Sequence, residues 1–437
     1  MSYEPLERVV RQEWGRLIGL LLARYRRLDL VEDALGDAVE AAARAWPVEG
    51  APKDPAAWLN RAASRRVLDR LRAEAMQQRR VALLVTEAQR SQERAGTMAD
   101  TGNLVEDDLL RLILMCTHPA LKPEAASALA LRLVLGVSTY DVARLFLVPE
   151  PTMAARITRA KKKIIAAGIP FAIPGADVLP QRLEAVAQTA YLAFTAGYAP
   201  GSGNNLLRTD LAGEAVRLVR VVLQKCPTEP VLVTLLALLL LQHSRRDARL
   251  GTEGGLVLLA DQDRSQWHRE EIDEALDLLD TLNGPLDLSA MAARYLIQAR
   301  IAAEHATAAE AGDTRWDRIV AHYDLLLQLS ASPAAGLARA VAVAEAEGPE
   351  AGLAALDGLS MPGSHRPAAV RAELLVRTGR IDQAQASYVE AIALCRNEAE
   401  LEYLKKRAVE IGITLPPEDS TAQQLPQDDP SRNGQNR

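Results

Sequence analysis

Apolar residues recur along this chain at spacings of three and four, the period of an amphipathic helix, and nowhere alternate in the two-residue rhythm of a strand. The pattern predicts an all-α protein. It breaks where Pro, Gly and polar residues gather: at 46–55 (WPVEGAPKDP), 91–102, 168–180 (GIPFAIPGADVLP) and 415–437. The break at 168–180 predicts the main domain boundary. The last stretch, 416–437, is polar and rich in Pro, Gln and Asn, and reads as a disordered tail.

The most specific local pattern lies between 124 and 167. A helix is expected over 124–135, stopped by Gly136. Ser138 and Thr139 can cap a short helix over 140–146, with Asp141 in its first turn. Leu147 to Glu150 make a tight turn, and a second helix starts at Pro151, where proline loses no hydrogen bond. Met153, Ile157, Ala160 and Ile164 share one face of it, and a cationic surface is left elsewhere. A short helix, a tight turn and a longer basic helix make a helix-turn-helix. A charge run alone usually means a solvated surface. Its coincidence with the second helix of this motif favours contact with DNA.

Composition narrows the class. Hydrophobic residues make up 49%, enough for packed cores, while aromatics are only 4%. The Ala- and Leu-rich balance suits helices. Three well-separated cysteines without a CxxC argue against a disulfide framework, a zinc ribbon or a redox pair. The charged N-terminus does not read as a signal peptide, and the longest apolar run, near 231–241, is too short to span a bilayer and reads as a buried helix. A reduced, cytoplasmic protein away from the membrane is expected. The net charge of −6 is unevenly placed: residues 120–170 hold eight Lys/Arg against three Asp/Glu, and the acidic excess falls in the C-terminal half. A basic balance permits phosphate contact.

The stretch ALALRLVLGVSTYDVARLFLVPEPTMAARITRAKKKI resembles region 4 of bacterial sigma factors, which reads the promoter −35 element. LVEDALGDAVEAAARAW resembles the region 2 helix that docks on the polymerase clamp, and DPAAWLNRAASRRVLDRLR the helices that melt and read the −10 element. With only a linker between these modules, the chain looks like the extracytoplasmic-function type. CTHPAL at 116–121 and LVLLADQDRSQW at 256–267 are similar to a subgroup with a long C-terminal extension, although relatives have a second Cys where Thr117 stands, and many have Asn at the place of Arg65. The resemblance implies region 2 at 1–80, a linker at 81–107, region 4 at 108–170 and an extension at 180–415. It implies core RNA polymerase and promoter DNA as partners.

Such a protein needs neither catalytic residues nor cofactor, because the polymerase carries the chemistry. Thr152, Arg156, Arg159, Lys161 and Lys163 are expected at the −35 duplex, where arginines reach base edges or phosphates. Arg61, Arg65 and Arg66 could neutralise opening DNA, with Asn60 and Ser64 bonding an unstacked base. Trp58 is expected to pack in the core rather than stack a base. Asp33 and Asp37, one helical turn apart, are expected at the polymerase clamp. Cys116 and His118 have no neighbouring ligands, so no metal is expected and His118 reads as a turn residue.

In the extension, three segments align with the second helix of a tetratricopeptide repeat. The clearest, 377–400, places Gly379, Ala384, Tyr388 and Ala391 at its small and aromatic positions; 211–230 offers Ala215 and Pro227, and 347–359 offers Ala351. Such an array presents a surface to a protein or peptide partner. A rival reading is a helix-turn-helix regulator with a repeat sensor domain. An enzyme is disfavoured: no phosphate-cradling Gly loop, G-x-S-x-G or metal-ligand spacing occurs.

Overall fold

The computed structural model describes residues 4–77, 102–146, 148–198, 209–249, 257–284, 287–395 and 397–413. It is all-α, with eighteen α-helices and no strand among the described residues. Most of the expected linker (81–101), Leu147 of the tight turn, residues 250–256 and the expected tail lie outside the described residues.

The helices fall into two compact units. The first takes in Met1–Ala199, Leu207–His243 and Asp277–Tyr295. Helices α1 (Glu4–Tyr25), α2 (Leu28–Glu49) and α3 (Pro55–Gln77) pack on one another. Leu17, Ile18 and Leu21 of α1 meet Val31, Leu35 and Ala38 of α2 and Leu59, Ala63 and Val67 of α3 in the core, all nearly solvent-free. Next come α4 (Gly102–Cys116), α5 (Pro123–Leu133), α6 (Thr139–Leu145) and α7 (Glu150–Ala166).

Local chemistry sets these boundaries. Gly136, at φ 72°, turns the chain after α5. The Ser138 hydroxyl accepts from the Asp141 backbone N–H at 3.0 Å and caps α6. The residues 102–107, expected as linker, form the first turns of α4.

The chain continues into α8 (Leu179–Tyr198), α9 (Thr209–Lys225) and α10 (Pro230–His243). These helices belong to the first unit with the two N-terminal modules, although the Pro/Gly-rich break precedes them. Leu183, Val186, Ala187 and Ala190 of α8 are fully buried, and α8 packs on α4, α5 and α6. Nearly every residue of α10 is buried, so this uniformly apolar stretch is a core helix.

The second unit contains most of α11 (Arg269–Asp280), most of α12 (Ala290–Thr307), and α13 (Trp316–Leu329), α14 (Pro333–Glu347), α15 (Pro349–Leu356), α16 (Arg366–Arg377), α17 (Ile381–Leu394) and α18 (Glu398–Glu410). From α13 onwards each helix packs chiefly on its chain neighbour. At Gly352 an added Cβ would overlap the Ala344 methyl, so glycine lets α14 and α15 close together. Ala384, Tyr388 and Ala391 of α17 are fully buried in the core of this array.

Candidate nucleic-acid interface

Helix α7 is seated by one apolar stripe: Met153, Ile157, Ala160 and Ile164 are buried, and the helix packs on α5 and α6. At about 100° per residue that seating places the remaining side chains. Thr152, Arg156, Arg159 and Lys163 fall within about 60° of one another, while Lys161 lies about 140° from Arg156. Thr152, Arg159 and Lys163 are exposed and Arg156 is half-buried. Arg156, Arg159 and Lys163 join Lys122 and Glu124 along one groove of about 440 Å³. The Lys163 ammonium donates to the Ala120 carbonyl. Three cations on one wall suit a polyanion.

Lys161 is not part of this groove. It is ion-paired with Glu32 of α2, which also accepts from Arg132 Nε of α5 at 2.7 Å. The helical period alone separates Lys161 from its basic neighbours.

On α3 the expected set also divides. Arg61, Arg65 and Arg66 are exposed. Ser64 is only 6% exposed, and Asn60 is half-buried. Ser64 falls within the stripe of Leu59, Ala63, Val67 and Leu71 that faces the core, so its hydroxyl does not join the arginines on the open face. Trp58 is half-buried and meets the buried Trp46 edge to face, with ring centroids 5.6 Å apart. Asp33 is exposed and Asp37 half-buried; both face Arg70 of α3, at 3.5 and 2.8 Å. The two carboxylates thus sit side by side, already in contact with a cation.

His118 Nδ1 accepts from the Ala120 backbone N–H at 3.1 Å, an arrangement that orders the turn between α4 and α5. Burial among apolar groups pushes the Cys116 thiol well above its ordinary pKa. In the 256–267 motif, Asp263 accepts from the Ser265 N–H at 2.9 Å. Arg264 donates to the carbonyls of His305 and Ala308 and lies over the Trp267 ring, so the motif closes the C-terminal end of α12.

One grouping escaped the sequence reading. Donor atoms of His365, Cys395 and Glu400 lie within 4.8 Å of one another, a set that could hold a metal ion. Existing bonds already engage them: His365 Nε2 meets Glu400 at 3.0 Å, Arg366 reaches its other oxygen at 3.4 Å, and Cys395 Sγ is 3.5 Å from the Asn397 carbonyl. These ligands come from separate helix ends, so no spacing motif announces them. The Glu32 cluster was also missed, because its cations lie 100 and 129 residues away.

Residues 111–164 match the family "Sigma-70, region 4", which takes in the C-terminal end of α4 and runs through the helix-turn-helix. Residues 182–283 match "Family of unknown function (DUF6596)". An uncharacterized protein of Rhizobium meliloti (strain 1021) is 42% identical over 397 residues, covering 89% of this chain and 91% of that protein. No solved structure matches the chain. The chain therefore belongs to one family with the Rhizobium meliloti protein, and the region 4 it carries supports a sigma-70-family factor.

Proposed function

We propose that this protein is a sigma factor of the extracytoplasmic-function type, which binds core RNA polymerase and directs it to its own promoters. The observation that carries this reading is the cationic face of α7, within the segment that matches region 4. Arg156, Arg159 and Lys163, with Thr152 in the first turn, take the −35 duplex. Arg61, Arg65 and Arg66 take the opening −10 strand. Asp33 and Asp37 offer the clamp a paired acidic surface whose present partner, Arg70, is half-exposed and exchangeable. The work is non-enzymatic and takes place in the cytoplasm, where polymerase and DNA are; among the described residues no helix is long and apolar enough to cross a membrane.

The extension acts as a degenerate tetratricopeptide-like array that modulates this activity by binding a protein or peptide partner. In support, Gly379 has φ 75° at a helix end, and Ala384, Tyr388 and Ala391 are fully buried where such a repeat buries them. Run-off transcription with core polymerase and the protein's own upstream region tests the main reading. A polymerase-dependent transcript is expected. Operator binding that needs no polymerase, with no transcript, would favour the regulator with a sensor domain.

A further inference from the structure

Three donors of different chemistry meet at one end of the second unit. His365 stands at the N-terminal cap of α16, Cys395 caps the C-terminal end of α17, and Glu400 lies in the first turn of α18. Their donor atoms lie within 4.8 Å of one another. The chain holds only six histidines and three cysteines among 437 residues, so composition alone does not bring one of each to a carboxylate. Backbone order fixes all three. The Cys395 N–H donates to the Ile392 carbonyl at 3.3 Å, and the Ala369 N–H to the His365 carbonyl at 3.0 Å. The Asn397 side chain accepts from the Glu400 N–H at 3.0 Å and so starts α18. Ligands carried on ordered helix ends need little rearrangement on binding.

The bonds around this group are ones that a metal would either replace or leave in place. His365 Nε2 and one Glu400 oxygen are 3.0 Å apart. Neighbouring ligands around Zn²⁺ lie about 3.3–3.6 Å apart, given metal–donor bonds of about 2.0–2.3 Å. Cys395 Sγ has to close on the pair by roughly an ångström to complete that spacing. Its contact with the Asn397 carbonyl, at 3.5 Å, is a weak thiol bond. Arg366 touches the other Glu400 oxygen at 3.4 Å and supports the carboxylate whether or not a metal is bound. His365 and Glu400 are partly exposed, so an ion enters from solvent.

We propose that His365, Cys395 and Glu400 bind one divalent ion of the zinc class, and that the ion pins α18 to the helical array. A thiolate, an imidazole and a carboxylate make a mixed donor set that suits Zn²⁺; Mg²⁺ and Ca²⁺ take oxygen ligands. Binding releases the Cys395 thiol proton to solvent, and the ring proton of neutral His365 sits on Nδ1, so that Nε2 gives its lone pair to the metal. Three protein ligands leave a fourth position for water. Among the described residues α18 is the last helix, and it packs chiefly on α17. Arg407 of α18 donates to Glu373 of α16 at 3.0 Å. The ion ties the first turn of α18 to the start of that same helix, so α18 is held at two levels. The site stands apart from promoter recognition.

Full-length protein, reduced and stripped with a chelator, is titrated with Zn²⁺ and with Co²⁺. One equivalent of Zn²⁺ should bind tightly enough to compete with a chromophoric chelator. Co²⁺ in the same place should give thiolate-to-metal charge-transfer absorption in the near ultraviolet. Cys395→Ser should abolish that band, while Cys226→Ser should keep it. His365→Gln and Glu400→Gln should each weaken Zn²⁺ by more than the roughly tenfold expected of losing a group that only supports a ligand. Circular dichroism checks the fold of each variant; the two changes at partly exposed residues decide the matter if Cys395→Ser fails to fold. Zn²⁺ should slow amide hydrogen exchange in α18 of the parent protein and not in His365→Gln. No stoichiometric binding, or binding unchanged in His365→Gln and Glu400→Gln, overturns the site and leaves a His–Glu ion pair beside a buried thiol. Co²⁺ binding without the band, or a band retained in Cys395→Ser, overturns ligation by Cys395. Binding that leaves exchange in α18 unaltered overturns the pinning role.

Discussion

Arg156 and Arg159 sit on the groove wall of α7 at positions that two simple facts of sequence, an apolar stripe and a helical period, already imply. Replacing either with Ala should weaken binding to a −35-containing promoter by about 1–3 kcal/mol, the worth of one good base contact. Titration of holoenzyme binding measures it; unchanged affinity in both variants would return this face to ordinary solvated surface. Lys161 and Ser64 show the limit of counting charges and hydroxyls without that period, since one turns to Glu32 and the other to the core. His305 makes a second residue-scale case. Burial, followed by the nearby Arg245 and Arg264, lowers its pKa to about 4, and its ring meets Trp316 edge to face at 5.2 Å. Its folded pKa lies below the unfolded value of about 6.5, so its contribution is present above that value and lost as pH falls towards 4. Chemical denaturation at pH 7.5 and 5 should show the wild type losing about 2 kcal/mol more than His305→Leu. Equal losses would show that His305 is not a buried neutral group.

At the scale of elements, helix types and ends were largely legible. Ser138, Gly136 and the Met153–Ile164 stripe specify the helix-turn-helix through local capping and periodicity, which need no distant partner. Pairing between helices was legible only where small residues mark it. Gly352 is such a mark, beside Ala351, the small position that the repeat alignment singles out. Gly352→Val should overpack the α14–α15 contact and cost about 1–3 kcal/mol in thermal or chemical unfolding, with full retention of stability refuting the close approach. On α2 the paired acids invite a different measurement. Lys at both Asp33 and Asp37 would set three cations together with Arg70, a mild cost at an exposed site. Helical content should persist by circular dichroism while co-purification with core polymerase falls; normal co-purification would leave the acids a solvated face.

Across the whole molecule, the Pro/Gly-rich break at 168–180 marks a change of direction within a compact unit, because α8 to α10 fold back onto α4, α5 and α6 or onto each other. A chain ending at Ala172 removes Leu183, Val186 and Ala187 from that core. It should unfold at lower temperature than a chain ending at Tyr295, which keeps the whole first unit. Equal melting temperatures would show that α8 to α10 are dispensable covering. Loss of transcription in the shorter chain then reports lost stability as well as lost control, so the two must be measured together.

By itself the sequence determined the all-α class, the helix-turn-helix, its basic face and the buried nature of α10, because each follows from local periodicity, capping and composition. The tertiary structure decided what depends on residues far apart in the chain: that Glu32 takes Lys161 from the basic residues of α7, that Ser64 turns inward, and that the first helices of the extension belong with the N-terminal modules. Local sequence sets which face of a helix is apolar, whereas long-range packing chooses which other face it meets. A buried carboxylate and its cations, 100 and 129 residues apart, leave no pattern until the chain has folded.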